Sequence, residues 1–418
     1  MARIAIVGSG ISGLGAAYLL SRGHEVVVFE RAAEPGGHAR TLSIVRTQGT
    51  TAVDTGFIVY NEANYPLLTG LFRTLGVATQ PSNMSFGVSY DGGALEFCGS
   101  SLNGLFAQRG NIVSPRYWVM LAGIMRFFRE APAVLKAPGD PSVRELIDHM
   151  RLGDWFGERF LLPMAAAIWS SPPGEILEMP AKTLVQFFAN HNLLSASGHH
   201  SWRTVTGGSR CYVAALLAKL GTSVRVNAAV TAVEYVSGGR HHVITHGGHR
   251  EAFDEVVLAC HADAALALIT EPTAQEREVL GAFTFRDNQA VLHSDEQVMP
   301  RRRAAWASWV YAGGGPRAAQ QVCVTYWMNS LQNLPGPGLF ITLNPANDIE
   351  CAKIHDRHTF RHPVFSRVAI AAQRAVPGIQ GRRGLWFCGA WQRYGFHEDG
   401  LWSAARIAQA KGMGLPWN

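Results

Sequence analysis

Three glycines near the start of the chain have the spacing of a phosphate-binding turn. Gly8, Gly10 and Gly13 lie between an apolar stretch that predicts a strand and one that predicts a helix. In such a turn the first glycine permits the bend, the second lets the backbone approach a pyrophosphate, and the third lets helix pack on strand. The first amides of the helix, Ser12 among them, would face the phosphates. Glu30 ends the next predicted strand, 17 residues after Gly13, where an acid accepts the ribose hydroxyls, so the pattern predicts a dinucleotide site.

A second glycine pair and a glycine-rich C-terminal turn extend this prediction. The segment after Glu30 holds the candidate cofactor residues Arg31, Gly37, His38, Arg40 and Thr41. The C-terminal turn follows a predicted strand, precedes a helix predicted from about Leu401 to Gln409, and holds Gly389, Ala390, Gly395, Phe396 and His397. The second glycine pair suits a cofactor longer than the pyrophosphate alone, and N–H groups at the last helix would face a flavin carbonyl. The two ends of the chain together favour FAD over NAD.

The composition is that of a folded, weakly basic protein. Of its 418 residues, 47% are hydrophobic and 16% are charged, which excludes disorder, collagen-like repeats and coiled coil. The net charge of +6 comes almost wholly from arginine and favours an anionic surface such as a membrane, but it is too diffuse for nucleic acid. Six scattered cysteines predict reduced thiols and no metal site. Without a signal-peptide pattern or a spanning segment, we expect a cytoplasmic protein, which leaves peripheral attachment to the inner face of the membrane open.

The order of the predicted elements indicates two interleaved domains of the α/β class. Residues 1–80, 205–262 and 375–418 would form a Rossmann-like FAD-binding domain, because strand–turn–helix patterns occur in the first and last of these pieces. Residues 81–204 and 263–374 would form a mixed α+β substrate domain. The nucleotide domain is therefore predicted to assemble from three separated pieces.

These motifs together resemble the FAD-binding superfamily of amine oxidases, protoporphyrinogen oxidases and phytoene desaturases. The resemblance covers nearly the whole chain and implies further cofactor contacts from Gly56, Phe57 and Val230. Gly56 and Phe57 stand in a segment, 54–57, that resembles the superfamily's second flavin-side motif. Residues 227–230 resemble the strand whose valine, here Val230, meets the adenine through its backbone. Longer strings, such as 59–62 and 395–400, are similar to bacterial FAD oxidoreductases linked to cyclopropane and methylated fatty-acid genes. That group includes the fatty-acyl desaturase of furan fatty acid synthesis.

Three departures from the superfamily pattern bear on the substrate. Ala390 stands where many relatives carry an acid, so a hydrogen bond to the cofactor must come from elsewhere. None of the five lysines lies near 326–329, whereas amine oxidases commonly use a lysine beside the flavin N5. The region around Gly395 also lacks the cysteine that binds flavin covalently in monoamine oxidases. We therefore expect non-covalent FAD, and the missing lysine counts against an amine substrate.

The proton acceptor is the least constrained part of the predicted chemistry. No second glycine motif predicts an NAD(P)H site, so the flavin would take electrons from the substrate and pass them to dioxygen or a quinone. In an acyl desaturation, flavin N5 takes a hydride from one carbon and a base takes a proton from its neighbour. His397, beside the flavin-facing turn, and Tyr60, after the second motif, are the candidate bases. The structural alternatives are that His397 orients the turn and that Tyr60 is an ordinary wall residue.

Apolar segments predict where a lipophilic substrate would lie. The candidate pocket residues are Trp169, Phe188, Tyr326 and Trp327, although core packing explains most such side chains. Within 105–135, a possible membrane-contact segment, Arg116–Arg129 combines bulky apolar residues with arginines, as an interfacial helix does. A buried helix whose arginine ends reach solvent explains the pattern equally well.

Three classes of function remain open at this stage. The first is an FAD-dependent oxidoreductase that desaturates a lipophilic substrate, foremost a methylated fatty-acyl chain of membrane phospholipid. The second is an FAD oxidase for an amine, a porphyrinogen or a carotenoid. The third is a flavin-dependent isomerase, or a flavin-bound scaffold, without net redox turnover. The sequence leaves the oligomeric state undetermined.

Overall fold

The computed structural model describes residues 1–46, 49–198, 200–236, 238–314 and 322–417. Within these ranges the strands are β1 (Arg3–Val7), β2 (Glu25–Phe29), β3 (Thr41–Arg46), β4 (Gly49–Asp54), β5 (Tyr60–Asn61), β6 (Thr79–Ser82), β7 (Phe86–Tyr90), β8 (Leu95–Cys98), β9 (Trp202–Val205), β10 (Val224–Arg225), β11 (Val230–Val236), β12 (Arg240–Thr245), β13 (Arg250–Phe253), β14 (Glu255–Leu258), β15 (Phe285–His293), β16 (Trp309–Gly313), β17 (Cys323–Trp327), β18 (Phe340–Leu343), β19 (Ile354–Pro363) and β20 (Leu385–Phe387).

The α-helices lie mainly around these strands and in one long helical stretch after β8. They are α1 (Ile11–Leu20), α2 (Pro66–Leu75), α3 (Leu102–Leu105), α4 (Pro115–Glu130), α5 (Val143–His149), α6 (Asp154–Phe156), α7 (Leu162–Trp169), α8 (Pro173–Glu178), α9 (Ala181–Asn190), α10 (Arg210–Leu220), α11 (Ala262–Leu268), α12 (Ala274–Gly281), α13 (Met328–Gln332), α14 (Arg367–Gln373) and α15 (His397–Ala410). None of the helices in the described ranges is both long and apolar enough to cross a bilayer.

A five-stranded parallel sheet joins the two ends of the chain. Its strand order is β10-β2-β1-β14-β20, so β14 alone lies between β1, the first strand of the chain, and β20, the last of the described strands. Helices α1, α2, α10 and α15 cover one face, and the three-stranded sheet β11–β13 with α11 and α12 covers the other. Coverage of both faces explains why β1, β2 and β14 are nearly continuous runs of Ile and Val. The α/β class and the Rossmann-like nucleotide unit are thereby confirmed.

A seven-stranded mixed sheet forms the second layer of the molecule. Its order is β19-β15-β18-β17-β16-β7-β8, with only β16 and β7 parallel to each other. The helical stretch α4–α9 packs on one face of this sheet in the largest apolar core. The two short strands that cross predicted domain boundaries, β6 and β9, pair with each other. The division at 80/81 and 204/205 thus falls within one small sheet, and the domain boundaries themselves stay a prediction.

Two sequence predictions about helices differ from the structure in an informative way. The last helix begins at His397 rather than about Leu401, so the string His397–Gly400 forms its first turn. Helix α4 has a buried face of Tyr117, Met120, Ile124 and Phe127, while its other face is exposed. The buried face is that of a helix packed in the domain, and contact of the exposed face with a membrane stays a prediction.

Candidate functional site

The first glycine motif forms a bend whose interior has no room for a side chain. Gly8 has φ +106°, and a Cβ there would lie 2.7 Å from the Ala259 carbonyl oxygen. A Cβ on Gly13 would lie 1.9 Å from the Gly8 oxygen, so α1 can pack this closely only with glycine. Gly10 differs, because a Cβ built on it meets no atom within 4 Å. The open space at Gly10 faces the start of α1, whose first N–H groups lack partners within the helix. The turn is therefore a cradle that fits an anionic pyrophosphate.

Glu30 stands at the end of β2, beside this cradle. One carboxylate oxygen accepts hydrogen bonds from Ser9 N at 3.0 Å and Ser9 Oγ at 2.5 Å, and the other accepts from Ala32 N at 2.8 Å. The Glu30 carbonyl accepts from Ala228 N, which brings the strand start before Val230 to the same edge. Arg31 is exposed next to it. The predicted ribose and adenine residues thus lie together at the edge of the parallel sheet.

Replacement of Glu30 tests its assignment to the ribose. We expect Glu30→Ala to weaken FAD binding about 10- to 100-fold, because one or two hydrogen bonds to a charged acceptor are lost. The rate of flavin reduction in protein saturated with FAD should stay unchanged, since Glu30 lies at the adenosine end. Glu25→Ala, an exposed carboxylate at the other end of β2, is the matched control. Equal FAD affinity of the two variants in a fluorescence titration would contradict the assignment.

The second glycine pair folds onto the first motif. A Cβ on Gly37 would lie 3.1 Å from Gly10 Cα, and Gly36 N donates to the Ser9 oxygen. The His38 carbonyl accepts from Phe57 N at 2.8 Å, and a Cβ on Gly56 would lie 2.2 Å from it. The loop that carries these predicted cofactor residues is therefore held against the start of α1.

Arg40 and Thr41 support this loop through side-chain contacts. Arg40 forms a bidentate ion pair with Asp356 on β19, with nitrogen–oxygen distances of 2.8 and 3.2 Å. This ion pair joins the loop to the seven-stranded sheet. The Thr41 hydroxyl donates to Asp54 Oδ1 at 2.5 Å. Both residues were predicted as cofactor contacts, and the structure gives their side chains protein partners at the rim of the site.

Asp54 is a central residue of the site to which sequence analysis assigned no role. Its buried carboxylate accepts from Thr41, from the backbone and hydroxyl of Ser209, and from Gln332 Nε2 at 2.9 Å. The Asp54 N–H in turn donates to the Gln332 side-chain oxygen. These partners come from β3, α10 and α13, so no local pattern connects them. The only sequence signal is the position of Asp54 in the second motif.

The C-terminal turn is shaped by two further carboxylates that sequence analysis did not select. Asp399 accepts from Tyr394 N and Phe396 N, and thereby folds the turn onto the start of α15. Glu398 accepts from the first amides of α2, Leu67 N and Leu68 N, each at 2.9 Å. Burial raises the pKa of Asp399 to about 6 and that of Glu398 to about 7. The backbone donors oppose this shift because they favour the ionised form.

The predicted residues of the C-terminal turn lie next to the first glycine motif. Gly389 N donates to Ser403 Oγ, and Gly395, at φ +96°, donates to the Ala390 oxygen. A Cβ on Gly400 would lie 2.8 Å from Ser12 Oγ. The starts of α1 and α15 therefore meet at one point, and their positive dipole ends converge there.

His397 is held between two aromatic rings at this point. Its imidazole stacks on Phe57 with ring centres 3.8 Å apart, and its Nε2 lies 3.1 Å from the Tyr212 hydroxyl. Burial lowers the pKa of His397 to about 3, so the ring is neutral at neutral pH. Tyr60, the second candidate base, is buried, and its ring makes edge-to-face contacts with the rings of Tyr65 and Phe72.

The predicted substrate residues occupy two sides of the seven-stranded sheet. Trp169 and Phe188 lie in the helical layer, where Trp169 contacts Phe187 at 4.8 Å between ring centres. Tyr326 faces this layer, whereas Trp327, the next residue of β17, faces Trp306 on the opposite side. Open clefts of about 640 and 370 Å³ lie along β15 and β19, and none of the four predicted residues lines them.

A group of half-buried histidines joins the second glycine pair to β19. The His38 ring lies 5.5 Å from that of His362 and 6.5 Å from that of His261. Burial lowers the pKa of His261 and of His362 to about 4, and lowers that of His38 well below its ordinary value. Over the described residues, no group of three His, Cys, Asp or Glu side chains is placed to hold a metal.

These neutral histidines predict acid sensitivity. Between pH 6.5 and about 4 the unfolded chain protonates His261, His362 and His397 and the folded chain does not, so these three groups lower the free energy of unfolding as the pH falls. Each contributes up to one proton, or about 1.4 kcal/mol per pH unit, to the slope, whereas Asp399 and Glu398, whose pKa values are raised in the folded chain, contribute with the opposite sign. Denaturant unfolding of the holoprotein across this range measures it. His362→Gln should remove about one proton from the slope, with His246→Gln, an exposed histidine, as the matched control. Equal slopes of the His362→Gln variant and the wild type would contradict the prediction.

The fold and the site together define a flavoenzyme with an FAD-binding α/β domain. The family model for flavin containing amine oxidoreductase matches residues 11–286, and the chain belongs to that family. A Mycobacterium tuberculosis protein assigned as a flavin-containing monoamine oxidase, AofH, is 24% identical over 85% of this chain and 76% of its own length. The protein is accordingly an FAD-dependent oxidoreductase of the amine oxidase superfamily, as the sequence motifs predicted.

Solved structures with the same fold carry different activities. A CLA-producing fatty acid isomerase from P. acnes superposes with TM-score 0.68 and 16% identity, over 98% of both chains. A protein assigned as a protoporphyrinogen oxidase from Exiguobacterium superposes with TM-score 0.69 and 16% identity, also over 98% of both chains. At this identity the likeness shows the fold alone.

Proposed function

We propose that this protein is an FAD-dependent desaturase of a lipophilic substrate, foremost a methylated fatty-acyl chain of membrane phospholipid in furan fatty acid synthesis. One observation carries the proposal. The layer of side chains next to the flavin-facing turn is aromatic and uncharged, with Phe187 stacked on Phe396 at 5.1 Å and on His191 at 3.9 Å. Burial lowers the pKa of His191 to about 4, so it too is neutral at neutral pH.

An uncharged layer favours a hydrocarbon over an amine. A protonated amine entering it would lose its hydration, and the nearby carboxylates of Glu398 and Asp399 already accept hydrogen bonds from the backbone. An acyl chain instead gains about 0.8 kcal/mol for each buried CH₂. The described lysines do not replace the missing one. Lys353 and Lys411 pair with carboxylates, Lys182 donates to the Ala137 oxygen, and Lys136 and Lys219 are exposed. The amine alternative therefore has less support than the acyl one.

The protein's own residues supply orientation and proton transfer. FAD, when bound, is the two-electron acceptor that takes a hydride from the substrate. His397 is neutral and sits in the first turn of α15, so its imidazole can accept a proton, although the burial that lowers its pKa makes it a weaker base than a free histidine. Trp169 is buried and its indole N–H has no hydrogen-bond partner within the described ranges. That donor is available to an oxygen of the substrate, such as an ester carbonyl.

A second candidate function is isomerisation of an acyl double bond without net redox change. It is favoured by the structural likeness to a fatty acid isomerase, whose named substrate is also an acyl chain. The two functions would use the same aromatic layer and the same flavin. They differ in electron balance, because only desaturation leaves the flavin reduced and the product two hydrogens lighter.

Anaerobic titration of the yellow holoprotein tests the proposal. Vesicles that contain a methylated acyl phospholipid should bleach the flavin, and mass spectrometry should find a product lighter by two hydrogens. Admission of air or addition of a quinone should restore the colour. An isomerised product of unchanged mass would support the second candidate. A flavin bleached by a diamine but not by any acyl lipid would overturn the acyl proposal.

A further inference from the structure

Exposed apolar side chains concentrate in one segment of the helical layer. Of the eleven large hydrophobic residues that are exposed in the described ranges, six fall between residues 102 and 125 and are 48% to 82% exposed. They are Leu102, Ile112, Val113, Trp118, Val119 and Met125, and we call this set the apolar patch. Single exposed hydrophobic residues are ordinary on a protein surface, but a contiguous group marks an interaction site.

Five of the six residues of the patch lie in two structural units that hold their side chains outward, and Leu102 is the first residue of α3. Trp118, Val119 and Met125 lie on the exposed face of α4, opposite its buried face. Ile112 and Val113 lie in the turn that precedes α4, and the Trp118 indole N–H donates to the Ile112 oxygen at 2.8 Å, which ties turn to helix. These side chains are therefore exposed at fixed positions on a helix and on the turn that is hydrogen-bonded to it.

The charges around the patch are predominantly positive. Residues 99–136 contain five basic side chains and one acidic one, Glu130. Arg126 and Arg129 both contact Glu130, and Arg116 is exposed at the start of α4. An apolar face bordered by arginine is the arrangement of helices that lie in the headgroup region of an anionic bilayer. The same charge disfavours contact between two copies of this face, because like charges would be juxtaposed.

The buried side of α4 connects this surface to the candidate site. Phe127 contacts Phe188 at 6.4 Å between ring centres, and the adjacent Phe187 stacks on Phe396 at the start of α15. The patch thus lies on the outer side of the same apolar layer whose inner side borders the flavin-facing turn.

We infer that the apolar patch docks the protein on the surface of an anionic lipid bilayer, with α4 lying in the plane of the headgroups. This inference deepens the proposed function, because an acyl chain of a membrane phospholipid would then enter the enzyme through the helical layer. The partner is a bilayer surface rather than another protein, and α4 lies on that surface without spanning it, since no helix of the described residues is long and apolar enough to cross a membrane.

Co-sedimentation of the holoprotein with vesicles tests the inference. Wild-type protein should sediment with vesicles of phosphatidylglycerol and phosphatidylcholine, and less with phosphatidylcholine alone. The double variant Val113→Ser/Val119→Ser should bind the mixed vesicles about tenfold or more weakly, since two exposed apolar side chains are lost. Val368→Ser, a 64% exposed valine on α14 outside the patch, is the matched control and should bind as wild type. Arg116→Glu should weaken binding roughly tenfold to mixed vesicles only.

Flavin absorbance and thermal unfolding of each variant verify that it is folded. Equal sedimentation of the double variant and the wild type, or no sedimentation with either vesicle, would overturn the inference. A wild-type dimer that the double variant converts to a monomer in sedimentation velocity would overturn it in favour of a second copy as the occupant. Sedimentation needs no turnover, so docking without acyl oxidation would refute the proposed function and leave this surface assigned.

Discussion

A Gly10→Leu protein is expected to fold normally and to purify without yellow colour. The Cβ of residue 10 would meet no protein atom within 4 Å, and the backbone there has φ −67°, so a side chain can begin at this position without backbone strain. The new side chain would instead fill the cradle at the start of α1, where the first amides of the helix are open. Losing two or more hydrogen bonds to a charged phosphate corresponds to at least about a 100-fold loss of FAD affinity.

Substitutions at two other glycines distinguish a protein that has lost only the phosphate-binding cradle from one that has lost its fold. Gly99→Leu, at a second glycine with open space around its Cβ, should retain stoichiometric FAD. Gly13→Leu should fail to fold, because its Cβ would lie 1.9 Å from a backbone oxygen. Absorbance of the purified proteins and their thermal unfolding distinguish the three cases. A yellow Gly10→Leu protein would show that the pyrophosphate lies elsewhere.

His397→Ala is expected to slow flavin reduction by roughly 10² to 10⁴, the usual contribution of a positioned base. Tyr60→Phe should reduce the flavin at nearly the wild-type rate, because Tyr60 is packed among Tyr65 and Phe72 rather than at the start of α15. Stopped-flow absorbance under argon, with protein saturated with FAD and with the substrate identified by the titration, measures both rates.

The change His397→Gln at the same position separates proton transfer from positioning. A glutamine at 397 can keep a hydrogen bond to the Tyr212 hydroxyl, which lies 3.1 Å from His397 Nε2, but it cannot accept a proton. His397→Gln should therefore be about as slow as His397→Ala. A glutamine variant close to the wild-type rate would identify His397 as a positioning residue of the turn, and Tyr60→Phe would then need to be slow for Tyr60 to be the base.

The cofactor site was predictable because its motifs are local. Gly8, Gly10 and Gly13 form one bend, and the strand and helix around them follow from a short apolar pattern. The residues that hold the site in shape were less accessible to this reasoning. Asp54 and Glu398 stand in motifs, but their partners are far away in the sequence, at Gln332 and at the start of α2. A buried carboxylate must find donors, and the sequence does not show which distant amides supply them.

The substrate side shows the same contrast more strongly. The sequence placed Tyr326 and Trp327 in one predicted pocket, although neighbouring residues of a strand face opposite sides of a sheet. The structure puts Tyr326 toward the helical layer and Trp327 toward Trp306. Because β17 is a strand, the side chains of Tyr326 and Trp327 cannot line the same pocket wall.

By itself, the sequence determined the nucleotide-binding unit, the cofactor class and the meeting of the two chain ends, because each rests on glycines and apolar periods that act over a few residues. Only the tertiary structure decided that α4 buries one face and exposes the other, and that His397 stacks on Phe57 inside the first turn of α15. Those properties depend on which elements pack against each other. Packing partners that are hundreds of residues apart are selected by the whole core and by no local pattern.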